Sequence, residues 1–154
     1  MNTGKLAFIF IIIWILALIL GRSCQAGDTR IEAGPGVLSG EYSHGFGVIL
    51  SEIWKGKYSV SIGYFSDQIF NDIPVDENMF VMAHWLFKYK RLQLGFGPTY
   101  WEKTNRALGQ RFTFQEQISF RFYRNWDINY RHWSNGGTTK PNSGQNILSI
   151  GYTF

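Results

Sequence analysis

The sequence predicts an all-β chain, an eight-stranded antiparallel transmembrane β-barrel, and three observations predict it. Apolar and polar residues alternate with period two, and the connections between the alternating segments are short and long in turn. The composition is 18% aromatic with 17 glycines and only 17% charged residues, which favours strands and tight turns. A water-soluble sandwich would alternate as well. Here the face opposite the aromatics is mostly small or uncharged polar, without the charges of a water-exposed surface, so the apolar face is read as lipid-facing and the polar face as the interior.

Residues 1–26 stand apart from this pattern. Lys5 supplies a positive start, residues 7–20 are an unbroken apolar run, and Cys24-Gln25-Ala26 offers a small-residue cleavage site, the layout of a secretory signal peptide. The run is shorter than the roughly 20 residues that a spanning helix needs. Arg22 and Ser23 make a poor lipidation box for Cys24, so cleavage is expected after Ala26, leaving residues 27–154 as the barrel domain. That mature chain has no cysteine, which excludes a disulfide framework and a thiol enzyme. The whole chain has 15 basic and 11 acidic residues; without Lys5 and Arg22 the excess falls to +2, scattered along the chain, and gives no basis for nucleic-acid binding.

The expected strands, in order, are 30–38, 43–53, 58–66, 79–89, 91–101, 112–123, 126–134 and 146–154. The first two are joined by the short segment 39–42, a small break in the alternation of loop lengths. In the third, Tyr58, Val60, Ile62 and Tyr64 oppose Ser59, Ser61 and Gly63; in the fifth, Leu92, Leu94, Phe96, Pro98 and Tyr100 oppose Gln93, Gly95, Gly97 and Thr99. The sixth is the clearest, with Phe112, Phe114, Glu116, Ile118, Phe120 and Phe122 on one face and Thr113, Gln115, Gln117, Ser119 and Arg121 on the other. Short turns at 54–57, 89–91 and 123–126 against long loops at 66–78, 102–111 and 135–145 give the layout of a barrel in the Gram-negative outer membrane. The terminal Phe154 resembles the closing signal of such barrels. Closure follows physically, since an open edge in lipid would leave backbone N–H and C=O groups unpaired. Eight strands make a barrel narrow enough for side chains to fill, so a wide channel is not expected. Trp54, Tyr89, Tyr123, Trp126, Tyr100 and Trp101 lie near strand ends and read as interfacial girdles.

Four polar residues fall on the wrong face. In the seventh strand Trp126, Ile128 and Tyr130 face lipid, and the same parity turns His132 and Ser134 outward. Counting back from Phe154 puts Asn146 outward, and Glu116 is the polar residue on the aromatic face of the sixth strand. A tight turn near Arg124 and Asn125 is expected to set Glu116 opposite Ser134 and Ile118 opposite His132, all near the long-loop end. Polar groups facing lipid are expensive unless they pair or function. His132 and Ser134 sit roughly 7 Å apart at their backbones on one face, within reach of each other. This is the chemistry of a serine hydrolase, in which a base activates a weak hydroxyl nucleophile and a third group holds the imidazole. The competing reading is that these are tolerated interfacial residues.

With H-W-S-N-G-G at 132–137 and P-N-S-G-Q-N at 141–146, the chain resembles the lipid A 3-O-deacylase family of Gram-negative bacteria, over the whole mature length but with the specific motifs in the last stretch. The resemblance implies a general base at His132, a nucleophile at Ser134 and oxyanion-hole donors at Asn135 and Gly137. The third position departs, because that family carries a glutamate fourteen residues after the histidine where this chain has Asn146. Outer-membrane phospholipase A, a barrel of about twice the length, has H-x-S-N-G with an asparagine there, so His132, Ser134 and Asn146 also resemble its triad; Glu116 is the alternative acid. What the resemblance implies is removal of a 3-O-linked acyl chain from lipid A in the outer leaflet by a serine carboxylic-ester hydrolase, without metal or cofactor. Lys103, Arg106, Arg111 and Lys140 fall in the expected external loops, where they would meet lipid A phosphates or simply be solvated. His44 and His84 have no ligand spacing to His132 and read as ordinary interior or interfacial residues. A homodimer partner is left open, as are a phospholipase and a non-enzymatic structural or adhesive barrel.

Overall fold

The computed structural model describes residues 27–38, 41–70 and 73–154. The expected signal peptide, residues 1–26, lies outside them. Ten strands follow in chain order: β1 (Gly27–Leu38), β2 (Glu41–Trp54), β3 (Tyr58–Phe65), β4 (Gln68–Phe70), β5 (Ile73–Val75), β6 (Asn78–Tyr89), β7 (Leu92–Asn105), β8 (Gln110–Tyr123), β9 (Trp126–Ser134) and β10 (Gln145–Thr153). Eight of them close an antiparallel barrel in the order β1-β10-β9-β8-β7-β6-β3-β2, while β4 and β5 form a separate hairpin. Closure rests on β1 against β10, from Arg30↔Thr153 to Leu38↔Gln145, so the barrel has no free edge.

The eight expected strands are present, and two of the three expected long loops carry more order than the sequence showed. The segment expected as an open loop at 66–78 contains the β4–β5 hairpin, and β7 and β8 run past the apolar alternation to leave a turn at 106–109. The short turns at the other end follow from backbone handedness. Lys55 and Gly56 both adopt positive φ, 52° and 62°, the geometry of a tight hairpin turn, in which the second position is suited to glycine. Lys90 and Arg124 take the same left-handed conformation in the other two turns.

Outward parity is as expected. Phe112, Phe114, Ile118 and Phe120 are exposed on the outer surface of β8 while Thr113, Gln115, Gln117 and Ser119 are buried inside. One girdle assignment is corrected: Trp101 is fully buried within the barrel, its Nε1 donating to Thr113 Oγ1 at 2.9 Å. It follows Tyr100, which faces out, and period two then sends its own ring in. Trp54 is half-buried, and Tyr89, Tyr100, Tyr123 and Trp126 are exposed on the outer surface.

The lumen is filled in two layers. Toward the long loops, Ile49, Phe65, Phe80, Met82, Trp101, Leu108, Trp133 and Ile147 form an apolar plug. Leu108 belongs to the 106–109 turn, so that turn folds down and stoppers the mouth. Toward the short turns the interior is ionic. Arg131 pairs with Glu32 at 2.6 Å, Arg30 with Asp127 at 3.2 Å and with Glu32 at 3.6 Å, and Arg121 with Asp127 at 3.1 Å. Gln93 accepts a further bond from Arg30 at 3.0 Å. Charges taken out of water in this way fix partner and register more than they add stability. Gly97 shows how tightly the wall is built, since an added Cβ would lie 1.8 Å from the Ala83 carbonyl oxygen of β6. Beside it, the pairing of β6 with β7 skips from Met82↔Thr99 to Trp85↔Phe96, at Pro98, which has no N–H to give.

Candidate active site

Three adjacent strands carry the four outward polar residues. β9 supplies His132 and Ser134, β10 supplies Asn146, and β8 supplies Glu116. The pairings Asn146↔His132 and Glu116↔His132 put these three residues in one row across the barrel wall. The expected register of β8 against β9 is corrected here: Glu116 faces His132, and Phe114 faces Ser134. The cause is the two-residue turn at Arg124 and Asn125 together with a bulge between Arg121 and Tyr123: the turn pairs Tyr123 with Trp126, odd with even, and the bulge restores the pairing of like faces, two residues from the expected register.

His132 Nδ1 lies 2.6 Å from Asn146 Oδ1. A carboxamide oxygen can only accept, so Nδ1 carries the proton and Nε2 presents its lone pair. That is the tautomer a general base needs. Tyr130, two residues before His132 on the same face, donates its hydroxyl to the same Asn146 oxygen at 2.9 Å. Glu116 is exposed and, among the described residues, its carboxylate has no hydrogen-bond or ion-pair partner. Asn146, although it has outward parity, is only 6% exposed, which makes its bond to His132 a sheltered one.

The loop after Ser134 is built from its own polar groups. Ser134 Oγ accepts from the Gly136 amide at 2.9 Å. The Asn135 side chain is fully buried and donates to the carbonyls of Leu108 and Thr139, both at 2.7 Å, and of Pro141 at 3.3 Å. Its Oδ1 accepts from the Gly137 amide at 2.8 Å, and its own backbone N–H donates to Asn142 Oδ1 at 3.2 Å. The two amides expected as oxyanion donors, Asn135 and Gly137, are therefore engaged within the loop, and the amide beside the serine oxygen is that of Gly136. Gly136 and Gly137 both have positive φ, 66° and 75°, so this turn relies on residues without a Cβ.

A second close approach comes from the far side of the loop. Gly144 has φ 70°, and a Cβ there would stand 2.8 Å from His132 Cε1. Ser143 N donates to Ala107 O at 3.0 Å, which ties the same segment to the 106–109 turn. The motif P-N-S-G-Q-N thus packs its backbone against the edge of the imidazole. Sequence reasoning missed Tyr130, Gly136 and Gly144; the outward parity of Tyr130 and the glycine in that motif were the available signals.

The four basic residues expected to meet phosphate do not gather. Lys103 Nζ donates to Glu77 O at 3.1 Å, and Arg106 donates to Pro74 O at 3.1 Å and pairs with Asp76 at 3.5 Å. Both brace the segment that carries the β4–β5 hairpin. Arg111 and Lys140 are exposed at the loop end. His84 is buried in the lumen, its Nδ1 3.3 Å from Ser59 Oγ, on a different face from His132. The side chain of His44 lies outside the described residues.

A model of the lipid A 3-O-deacylase (PagL) family matches residues 34–154. The chain belongs to that family. Among solved structures, the outer membrane enzyme PagL is similar at 18% identity over 82% of this chain and 98% of that one, with a TM-score of 0.54. Ail of Yersinia pestis in a phospholipid nanodisc is similar at 15% identity over 84% of this chain and 100% of that one, with a TM-score of 0.54. The N-terminal barrel of Pseudomonas aeruginosa OprF matches at 11% identity over 84% of this chain and 100% of that one, with a TM-score of 0.51. At these identities the neighbours establish the fold, that of integral outer-membrane barrels. No curated protein sequence matches the chain. Family membership brings with it hydrolysis of lipid A at the 3-O position as the family's activity.

Proposed function

We propose that this barrel removes the 3-O-linked acyl chain of lipid A by a serine–histidine mechanism, with Ser134 as nucleophile, His132 as general base and Asn146 as the group that orients the base. The observation that carries this reading is the 2.6 Å bond from His132 Nδ1 to Asn146 Oδ1 on the outer face of the barrel, two residues from Ser134. His132 Nε2 takes the Ser134 proton as Oγ attacks the ester carbonyl, and returns it to the departing sugar oxygen. Water, activated by the same nitrogen, then attacks the acyl-serine and releases the 3-hydroxy fatty acid. The oxyanion is received by the Gly136 amide, whose N–H already points at Ser134 Oγ at 2.9 Å, while the Asn135 and Gly137 amides hold the loop that positions it.

A site on the outer face lets the acyl chains stay in the bilayer while the ester is cut. On this reading the long-loop end, where Ser134 lies, sits at the outer leaflet, because the short turns of such barrels usually lie on the periplasmic side. Asn146 gives the imidazolium a dipole but no charge. Glu116, directly across from His132 on β8, supplies a carboxylate in the same row without bonding to it. Phosphate recognition falls to Arg111 and Lys140, the two of the four expected loop residues whose side chains are not bracing the β4–β5 segment. Residues 1–26 are read as a secretory signal peptide that directs export of the chain. Neither the fold nor the comparisons support a homodimer.

The alternative of a phospholipase is favoured by one feature, the carboxamide in place of a carboxylate beside His132. Mass spectrometry of lipid A and phospholipids from cells expressing the wild type or Ser134→Ala separates the readings. Loss of one 3-hydroxyacyl chain with the wild type alone is the expected result. Lysophospholipid with intact lipid A points to the phospholipase, and unchanged lipids point to a non-catalytic barrel.

A further inference from the structure

An asparagine beside a catalytic histidine creates a problem that a carboxylate does not have. A carboxylate offers two equivalent oxygens, so either rotation about its last bond leaves an acceptor facing Nδ1. A carboxamide offers one oxygen and one NH2, and only one of its two orientations accepts from Nδ1–H. In the other, the NH2 meets Nδ1 and drives the imidazole proton onto Nε2. That nitrogen then has no lone pair with which to take the Ser134 proton.

Nothing in the Asn146 side chain itself makes the choice. A second donor does: the Tyr130 hydroxyl lies 2.9 Å from the same Oδ1 that His132 Nδ1 approaches at 2.6 Å. Tyr130 sits directly across from Leu148, one outward position nearer the short turns than Asn146, so its long side chain reaches Asn146 on the diagonal. Its ring remains 45% exposed on the outer face and is free of the polar interior. A phenol donates a hydrogen bond more readily than it accepts one, because its lone pair is drawn into the ring. The hydroxyl therefore favours the carboxamide oxygen over the NH2.

We propose that Tyr130 is a positioning residue of this site, whose hydroxyl holds the Asn146 carboxamide with its oxygen toward His132. The proposal rests on the serine–histidine reading above. It assigns Tyr130 the job that symmetry does for a carboxylate. Two donors on one oxygen compete for the same electron density, so Tyr130 contributes orientation and adds no basicity to His132. Its loss lowers the fraction of enzyme carrying the productive tautomer. The effect belongs in kcat and not in KM, because Tyr130 acts on His132 and not on the substrate.

The test uses Tyr130→Phe, Asn146→Glu and their combination in the full barrel, with lipid A in mixed micelles as substrate. Tyr130→Phe keeps the ring and is expected to lower kcat about five- to ten-fold, the worth of one hydrogen bond, with KM unchanged. In the Asn146→Glu background the same change is expected to cost less than about two-fold. The 15N spectrum of the His132 ring, assigned by its loss in His132→Gln, reads the tautomer without activity: Nδ1–H in the wild type and a mixture in Tyr130→Phe. Wild-type kcat and an unchanged tautomer in Tyr130→Phe overturn the proposal. An equal loss in both backgrounds does so as well, because it marks a packing role. Hydrolysis that survives Ser134→Ala overturns the underlying reading instead, and is told apart because it does not depend on any Tyr130 variant.

Discussion

Replacing Asn146 with alanine removes the acceptor that His132 Nδ1 meets at 2.6 Å and leaves the imidazole free to choose its own tautomer. The bond strengthens when the ring becomes an imidazolium, and a hydrogen bond to a charged group is worth about 1.5 to 3 kcal/mol. Each 1.4 kcal/mol is about a factor of ten, so this alone lowers kcat roughly ten- to 150-fold. Loss of the correct tautomer adds to that, and the two together place the expected fall at about two to three orders of magnitude. The site's other parts, the Ser134 hydroxyl and the Gly136 amide, are untouched. The assay is single-turnover release of 3-hydroxy fatty acid from lipid A by the purified barrel in vesicles, with heat-modifiable mobility in electrophoresis as the folding control. Glu116→Ala run alongside decides what orients the ring. A fall of two orders with Asn146→Ala against a change of a few-fold with Glu116→Ala is the expected pair. Asn146→Ala at wild-type rate, with Ser134→Ala inactive, would refute the reasoning outright.

Other expectations follow from the loop and the lumen. Gly144→Ala puts a Cβ where His132 Cε1 stands at 2.8 Å, on a backbone with φ 70°, and is expected to cut activity at least ten-fold while the barrel keeps its heat-modifiable mobility. Asn135→Ala leaves the carbonyls of Leu108, Thr139 and Pro141 without their shared donor, and is expected to cost about 1 to 3 kcal/mol in urea unfolding and to speed proteolysis in residues 135–144. Glu32→Ala strands Arg131 in the lumen and is expected to destabilise the barrel by about 3 to 5 kcal/mol, most of it recovered by adding Arg131→Met, as followed by urea unfolding in vesicles. Leu108→Ala opens the apolar plug, with an expected cost of about 2 to 5 kcal/mol in the same measurement.

The strand faces and the outward direction of His132, Ser134, Asn146 and Glu116 were legible in the sequence because side-chain direction in a strand alternates strictly, and lipid on one side makes the apolar parity unmistakable. The same rule, applied to Trp101, turns it inward. Its place beside Tyr100 at a strand end suggested the girdle, but parity outweighs position along the strand.

What the sequence could not carry was anything that depends on where two strands meet. The bulge between Arg121 and Tyr123 involves no special residue, yet together with the two-residue turn beside it the bulge moves the partner of Glu116 from Ser134 to His132. The pairing of Asn146 with His132, the diagonal reach of Tyr130, and the capture of Asn135 by the Leu108 carbonyl 27 residues earlier are all products of register and loop docking. The sequence by itself determined the barrel, the lipid-facing and interior parity along the regular stretches of its strands and the kinds of chemistry available on the outer wall, because those follow from local period and composition. Only the tertiary structure decided which group holds His132 and which amide meets Ser134, because hydrogen bonds are made over about 3 Å and a shift of one residue pair moves a partner by more than that.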